Sequence, residues 1–287
     1  MRLISLWISA SLLALIGSSA AAAPLPTTEQ HNSVETDSAD SALRQAVTVL
    51  LREADGQHLG SGVLVAVAPG GRWVVTNRHV VGTQNMVCVV TADRSVRPAL
   101  VMPPKTMKKQ RELDLALIWL PSKAREANLV AAISERAPKA ESLPLVVSTG
   151  FPIPMNSPID GPAYSERSGL LVPLLKAPLQ EGLNLAYTAP VDKGMSGGGI
   201  FLGSELIGIN SAHRDPLWLG QWRNIRGQVV DAQLNQKLDL VSLGISAKDI
   251  NQIIQSTSLP SNENPRQAIK NNCNKIMTPS TNKTTNW

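Results

Sequence analysis

Short apolar runs punctuated by Gly, Pro, Asn and Asp dominate the chain between Leu43 and Ile254. Six come first, at residues 46–52, 62–67, 73–76, 86–91, 98–102 and 113–120. Six more follow a break, at residues 143–148, 170–175, 183–189, 198–202, 206–210 and 240–245. Runs this short, rich in Val, Ile and Leu and bounded by turn residues, read as strands. With turn residues between them, they predict an all-β fold, a barrel or sandwich pair, rather than alternating βαβ units. Residues 121–142 break the rhythm and read as the connection between lobes, with a helical turn. Ser246 ahead of Ile250, Ile253 and Ile254 reads as the start of a short C-terminal helix, with Ser246 capping the first turn and Asp249 reaching back to it.

Composition narrows the class. Hydrophobic residues make up 43% and charged residues 17%, which excludes a disordered polyelectrolyte. The net charge of +5 is spread without a dense Lys/Arg block, so no nucleic-acid partner is implied. Met1-Arg2, an apolar stretch from Leu3 to Ile16 and the small residues Ser18 to Ala23 have the layout of a secretory signal peptide. The rival reading is an uncleaved anchor, but the apolar run is shorter than the roughly 20 residues that span a bilayer. The expected map is a signal peptide at 1–22, a flexible leader at 23–42 and one domain at 43–256. Within that domain the first barrel occupies 43–125 and the second barrel with its terminal helix 140–256; a polar, disordered tail fills 257–287. The expected location is secreted or periplasmic, with no membrane association after signal removal. Cys88 and Cys273 are able to form one disulfide there, and a buried unpaired Cys88 is an equal alternative.

Three motifs stand in order: Thr76-Asn77-Arg78-His79-Val80, Asp114-Leu115-Ala116-Leu117, and Gly194-Met195-Ser196-Gly197-Gly198. A serine hydroxyl is a poor nucleophile at neutral pH and needs a base within hydrogen-bond reach. His79 has the right intrinsic pKa to take and return the proton. Asp114, set among leucines, is costly to bury unless hydrogen-bonded, and an imidazole is a fitting partner. His31, His58 and His213 share no ligand spacing, so no metal site is read, and His31 and His58 are expected in solvent. No cofactor is called for.

Together, His…Asp…Ser across two β lobes resembles the chymotrypsin/trypsin-like serine peptidases, most closely the bacterial members with a TNRHV motif. The resemblance covers about residues 43–256. It implies an all-β fold of two six-stranded antiparallel β-barrels with the active site between them and a short C-terminal helix. It further implies a triad of His79, Asp114 and Ser196, an oxyanion hole from the backbone amides of Gly194 and Ser196, and a polypeptide substrate. It also implies a primary pocket floored at Pro190 and walled by Asn210, with Ser211 to His213 pairing with the substrate backbone. Pro190 offers no carboxylate, so a small or apolar residue is expected at the cleavage site rather than Lys or Arg.

Two positions depart from the family pattern. Met195 stands where the digestive enzymes carry the Asp that pairs with a new N-terminus, so no activation switch of that kind is expected. Gly199 stands where Pro is usual. The stretch from Arg214 to Lys237 joins the last two strands and, by the resemblance, is expected beside the cleft; Trp218 and Trp222 are expected to pack inward, with a specificity or lid loop as the alternative. The alternative function is a catalytically silent trypsin-fold protein that binds peptides or partners; esterase action shares the same site.

Overall fold

The structure, a computed structural model, describes residues 28–102, 113–122, 129–153, 162–214, 217, 220–259 and 273. The expected signal peptide and most of the polar tail lie outside those residues. Contacts separate residues 1–36 from residues 37–287, and the account below concerns the larger unit.

Helix α1 (Thr28–Val47) occupies much of the stretch read as a flexible leader, and carries on two residues into the expected first strand. Six strands follow: β1 (Thr48–Arg52), β2 (His58–Ala68), β3 (Gly71–Thr76), β4 (Met86–Val90), β5 (Val96–Val101) and β6 (Ala116–Pro121). They close into a barrel in the order β1-β2-β3-β6-β5-β4, with antiparallel neighbours throughout. Val63, Val75, Leu117 and Ile118 are essentially inaccessible there. At roughly 1.5–3 kcal/mol per fully buried aliphatic side chain, they drive closure. A single helical turn, α2 (Arg78–Val81), leaves β3.

The second sheet comprises β7 (Leu145–Gly150), β8 (Ser165–Leu170), β9 (Leu185–Tyr187), β10 (Gly199–Leu202), β11 (Glu205–Ala212) and β12 (Ser242–Ser246). Its order is β8-β7-β10-β11-β12-β9, a half-barrel whose two edges meet at one antiparallel bridge, Leu171 to Tyr187. The sequence put a strand at 170–175. The observed β8 precedes it because its residues are mostly half-exposed and hydrophilic, held by the ladder with β7 rather than by burial. A 3-10 turn at Ala140–Ser142 lies in the inter-lobe connection.

Helices α3 (Ala232–Leu238) and α4 (Ala247–Ser256) complete the unit. The Asp231 side chain caps α3 by accepting from Leu234 N at 2.9 Å. Ser246 does not cap α4 by its side chain as expected. Its hydroxyl instead donates to Asp249 at 2.8 Å, and Asn184 donates to both. The open question about the cysteines resolves as a disulfide, with Cys88 of β4 bonded to Cys273 and both ends buried.

Candidate active site

His79 sits in α2, the turn into which β3 delivers the chain, while Asp114 lies on the approach to β6, the strand paired with β3. Adjacency of β3 and β6 is therefore what brings the two side chains together. The Asp114 carboxylate accepts twice from one residue: from His79 Nδ1 at 2.6 Å and from the His79 amide at 2.9 Å. Asp114 is 4% exposed, so both bonds act where water competes little. The imidazole is half open to solvent, leaving Nε2 free to face a reactant. Burial by itself would lower the His79 pKa, but the hydrogen bond and charge of Asp114, with a further contribution from Glu181, hold it above the ordinary imidazole value.

The second lobe supplies Ser196, in the turn before β10. Asn77 is the link between lobes: its Nδ2 donates to the Asp114 carbonyl at 3.0 Å and to the Ser211 hydroxyl on β11. Asn210 O next accepts from Gly197 N at 2.9 Å, and Ser196 O accepts from Ser61 N of β2 at 2.9 Å. A Cβ at Gly60 would lie 3.1 Å from Ser196 O and 2.8 Å from a Val80 methyl, so the serine and the histidine's neighbour meet across one glycine. The Ser196 hydroxyl makes no hydrogen bond to His79 among the described residues. Such contacts commonly tighten only around bound substrate.

The turn itself is selective in its bonding. The amides of Met195, Gly197 and Gly198 donate to Asp192 O, Asn210 O and Met195 O at 2.9–3.0 Å. Those of Gly194 and Ser196 donate to nothing among the described residues. Gly194 has φ +97°, a conformation that disfavours any residue with a Cβ. Gly197 has φ +81°, and a Cβ there would fall 2.2 Å from Ser61 O. Two unpaired N–H groups flanking one residue make a place where negative charge on oxygen is stabilised.

Two features that the sequence reading did not anticipate hold this turn, and a third packs against it. Ser61 is fully buried; its hydroxyl donates to Gly194 O at 2.8 Å and accepts from Phe151 N at 2.9 Å. The signal for it, Gly60-Ser61-Gly62, is visible but uninformative without the fold. Asn210, expected in the pocket wall, is instead fully buried and saturated. Its Nδ2 donates to Thr149 O and Met195 O at 2.9 and 3.2 Å, and its Oδ1 accepts from Ser148 and Tyr187 at 2.9 and 2.8 Å. No part of its amide is left for a ligand, so it acts as a pillar under the turn. His58, expected in solvent, is half-buried at the start of β2, with Cε1 only 2.8 Å from where a Gly194 Cβ would stand. Burial, reinforced by the Arg52 charge and opposed by the Gly60 backbone, pushes its pKa down.

Of the remaining expected positions, Pro190 is half-buried between buried Ala189 and Val191, Ser211 is half-buried at the end of β11, and His213 is exposed just beyond it. Met195 is completely buried in an apolar cluster with Val146, Tyr187, Val191 and Ile200, in place of any ion pair. Trp222 is half-buried, with Nε1 donating to Asp239 at 2.9 Å; Trp218 lies outside the described residues.

The family model for a trypsin-like peptidase domain matches residues 60–209, a span that holds His79, Asp114 and Ser196. No curated protein matches the chain.

Proposed function

The chain belongs to the trypsin-like peptidase family, and from that premise we propose that it is an exported serine endopeptidase. Ser196 is the nucleophile, His79 the general base and Asp114 the group that holds the imidazole. In the proposed cycle the Ser196 oxygen bonds to the scissile carbonyl carbon while its proton passes to His79 Nε2. The amides of Gly194 and Ser196 receive the developing oxyanion. The C–N bond then breaks, His79 returns the proton to the leaving amine, and an acyl-enzyme remains. Water attacks that ester, giving its proton to His79, and the C–O bond breaks to restore Ser196.

The observation that carries this reading is the selective bonding of the 194–198 turn. Three of five consecutive amides are satisfied internally, and the two left over are those flanking the residue before the serine. A module that only bound peptides would have no use for that alternation, nor for a carboxylate doubly bonded to a half-exposed imidazole. Export is supported by the disulfide, since such bonds persist in oxidising compartments. The buried Met195 supports a site that forms without a charged N-terminus beneath it.

Steady-state hydrolysis of an unstructured protein substrate, with Ser196→Ala beside the wild type, tests the proposal. We expect the variant to lose roughly 10⁴-fold or more in rate while still binding the substrate. Equal behaviour of the two proteins would favour the binding-module reading.

A further inference from the structure

A cavity of about 680 Å³ adjoins the oxyanion turn by way of Phe151. Phe151 belongs to both places. Its carbonyl lies 2.6 Å from the position of a Gly194 Cβ, and its ring packs edge-on against Tyr164, 5.9 Å between centroids, in the cavity wall. The first barrel adds Leu50 and Arg52 of β1 and the β4–β5 turn with Arg94, while Gln45 of α1 and Pro162 and Ala163 ahead of β8 complete the lining. Among the described residues the lining includes two arginines and no carboxylate.

Neither guanidinium is engaged by a described residue. Among the described residues Arg52 and Arg94 make no ion pair, and the Arg52 Nε is buried without any hydrogen-bond partner. Nearby carboxylates are already committed. Asp93 accepts from the Thr91 hydroxyl and the Ser95 amide, and Glu166 is gripped by Arg44 and by the Tyr164 hydroxyl. Arg94 also holds φ +62°, a conformation uncommon for a side-chain-bearing residue outside tight turns. Two guanidinium groups without an ion-pair partner among the described residues, beside an aromatic wall, are suited to a carboxylate.

We propose that this cavity takes an Asp or Glu side chain from the leaving-group half of the polypeptide substrate; the inference rests on the peptidase reading above. A substrate whose acyl half lies along Ser211 must carry its leaving half past Gly194 toward Phe151 and His58. The acidic side chain is assigned to the second to fourth residues after the scissile bond, because an extended chain advances roughly 3.3–3.6 Å per residue from the Gly194 turn.

Cleavage of a synthetic peptide library randomised at every position, with products read by mass spectrometry, tests the idea. The proteins are the wild type, Arg94→Asn, which keeps a residue tolerant of positive φ, and Arg52→Gln/Arg94→Asn. The wild type should enrich Asp and Glu about five- to tenfold at those positions. Enrichment should shrink in the single variant, vanish in the double variant and fall in high salt, with preferences before the scissile bond unchanged. Cleavage without acidic enrichment, or enrichment equal in all three proteins, overturns the inference alone. No cleavage by the wild type overturns the peptidase reading and this inference with it.

Discussion

At the scale of single residues, the Asp114–His79 pair sets how the site responds to pH. A raised His79 pKa means that the imidazole stays protonated, and unable to act as a base, to a higher pH than a free histidine would. The kcat/KM profile should therefore rise through a midpoint above about 6.5, the ordinary imidazole value. The sign for stability is the opposite. Protonated His79 beside Asp114 favours the fold below the unfolded-state pKa, and that contribution is lost as pH rises through the folded-state value. Replacing Asp114 by Asn should lower the rate by roughly 10⁴-fold and pull the midpoint down, because the substituted amide withdraws both the charge and the tautomer control. A midpoint unmoved by Asp114→Asn would remove the carboxylate from the account. These residues were legible in the sequence because their chemistry sits inside contiguous motifs. Ser61 and His58 were not, since what they do depends on Gly194, which lies on the other lobe more than a hundred positions away.

At the scale of elements, β11 supports the turn that precedes β10. Asn210 joins four groups, from β7, β9 and the Met195 turn, all from fully buried residues that bulk solvent does not reach. Substitution by Leu would keep volume but orphan the Ser148 and Tyr187 hydroxyls and remove the Asn210 donor from the Thr149 carbonyl, while Met195 O keeps the Gly198 amide. We expect a loss of about 2–4 kcal/mol in denaturant unfolding. Among molecules that remain folded, kcat should fall more than KM rises, because the Gly194 and Ser196 amides matter most in the transition state. A stability loss with unchanged kcat would make Asn210 a core residue only. The strand pattern explains both what sequence reading caught and what it missed. The first-barrel strands are continuous apolar runs and stand out. The half-exposed β8 has no such run, and the apolar residues just beyond it drew the reading forward to 170–175. Asn210 misled for a related reason: a polar residue at the expected pocket wall suggests a ligand contact, whereas here the polarity is consumed internally.

At the scale of the whole molecule, two linkages hold distant parts of the chain together. The Arg44 guanidinium, 3% exposed, grips Glu166 through two 3.0 Å bonds and ties the end of α1 to β8. The Cys88–Cys273 disulfide closes a loop across 185 positions, joining the first barrel to a residue far beyond α4. On loop-closure grounds the bond contributes about 2–5 kcal/mol. Cys88→Ser/Cys273→Ser should therefore melt about 5–15 °C lower than the oxidised protein, and reductant should lower the wild type toward the variant. Identical melting curves would mean that the bond adds no stability. That two lobes would form was legible from the two sets of six runs, while the single bridge closing the second sheet was not, because it depends on register rather than on composition. Everything functional rests on whether those lobes bring Ser196 under the influence of His79. Intact-mass analysis after exposure to a fluorophosphonate, with Ser196→Ala and His79→Ala alongside, measures that most directly. The account predicts one adduct on the wild type, none on Ser196→Ala and strongly slowed labelling of His79→Ala. A folded wild type that takes up no adduct, or that labels as fast without His79, would contradict it.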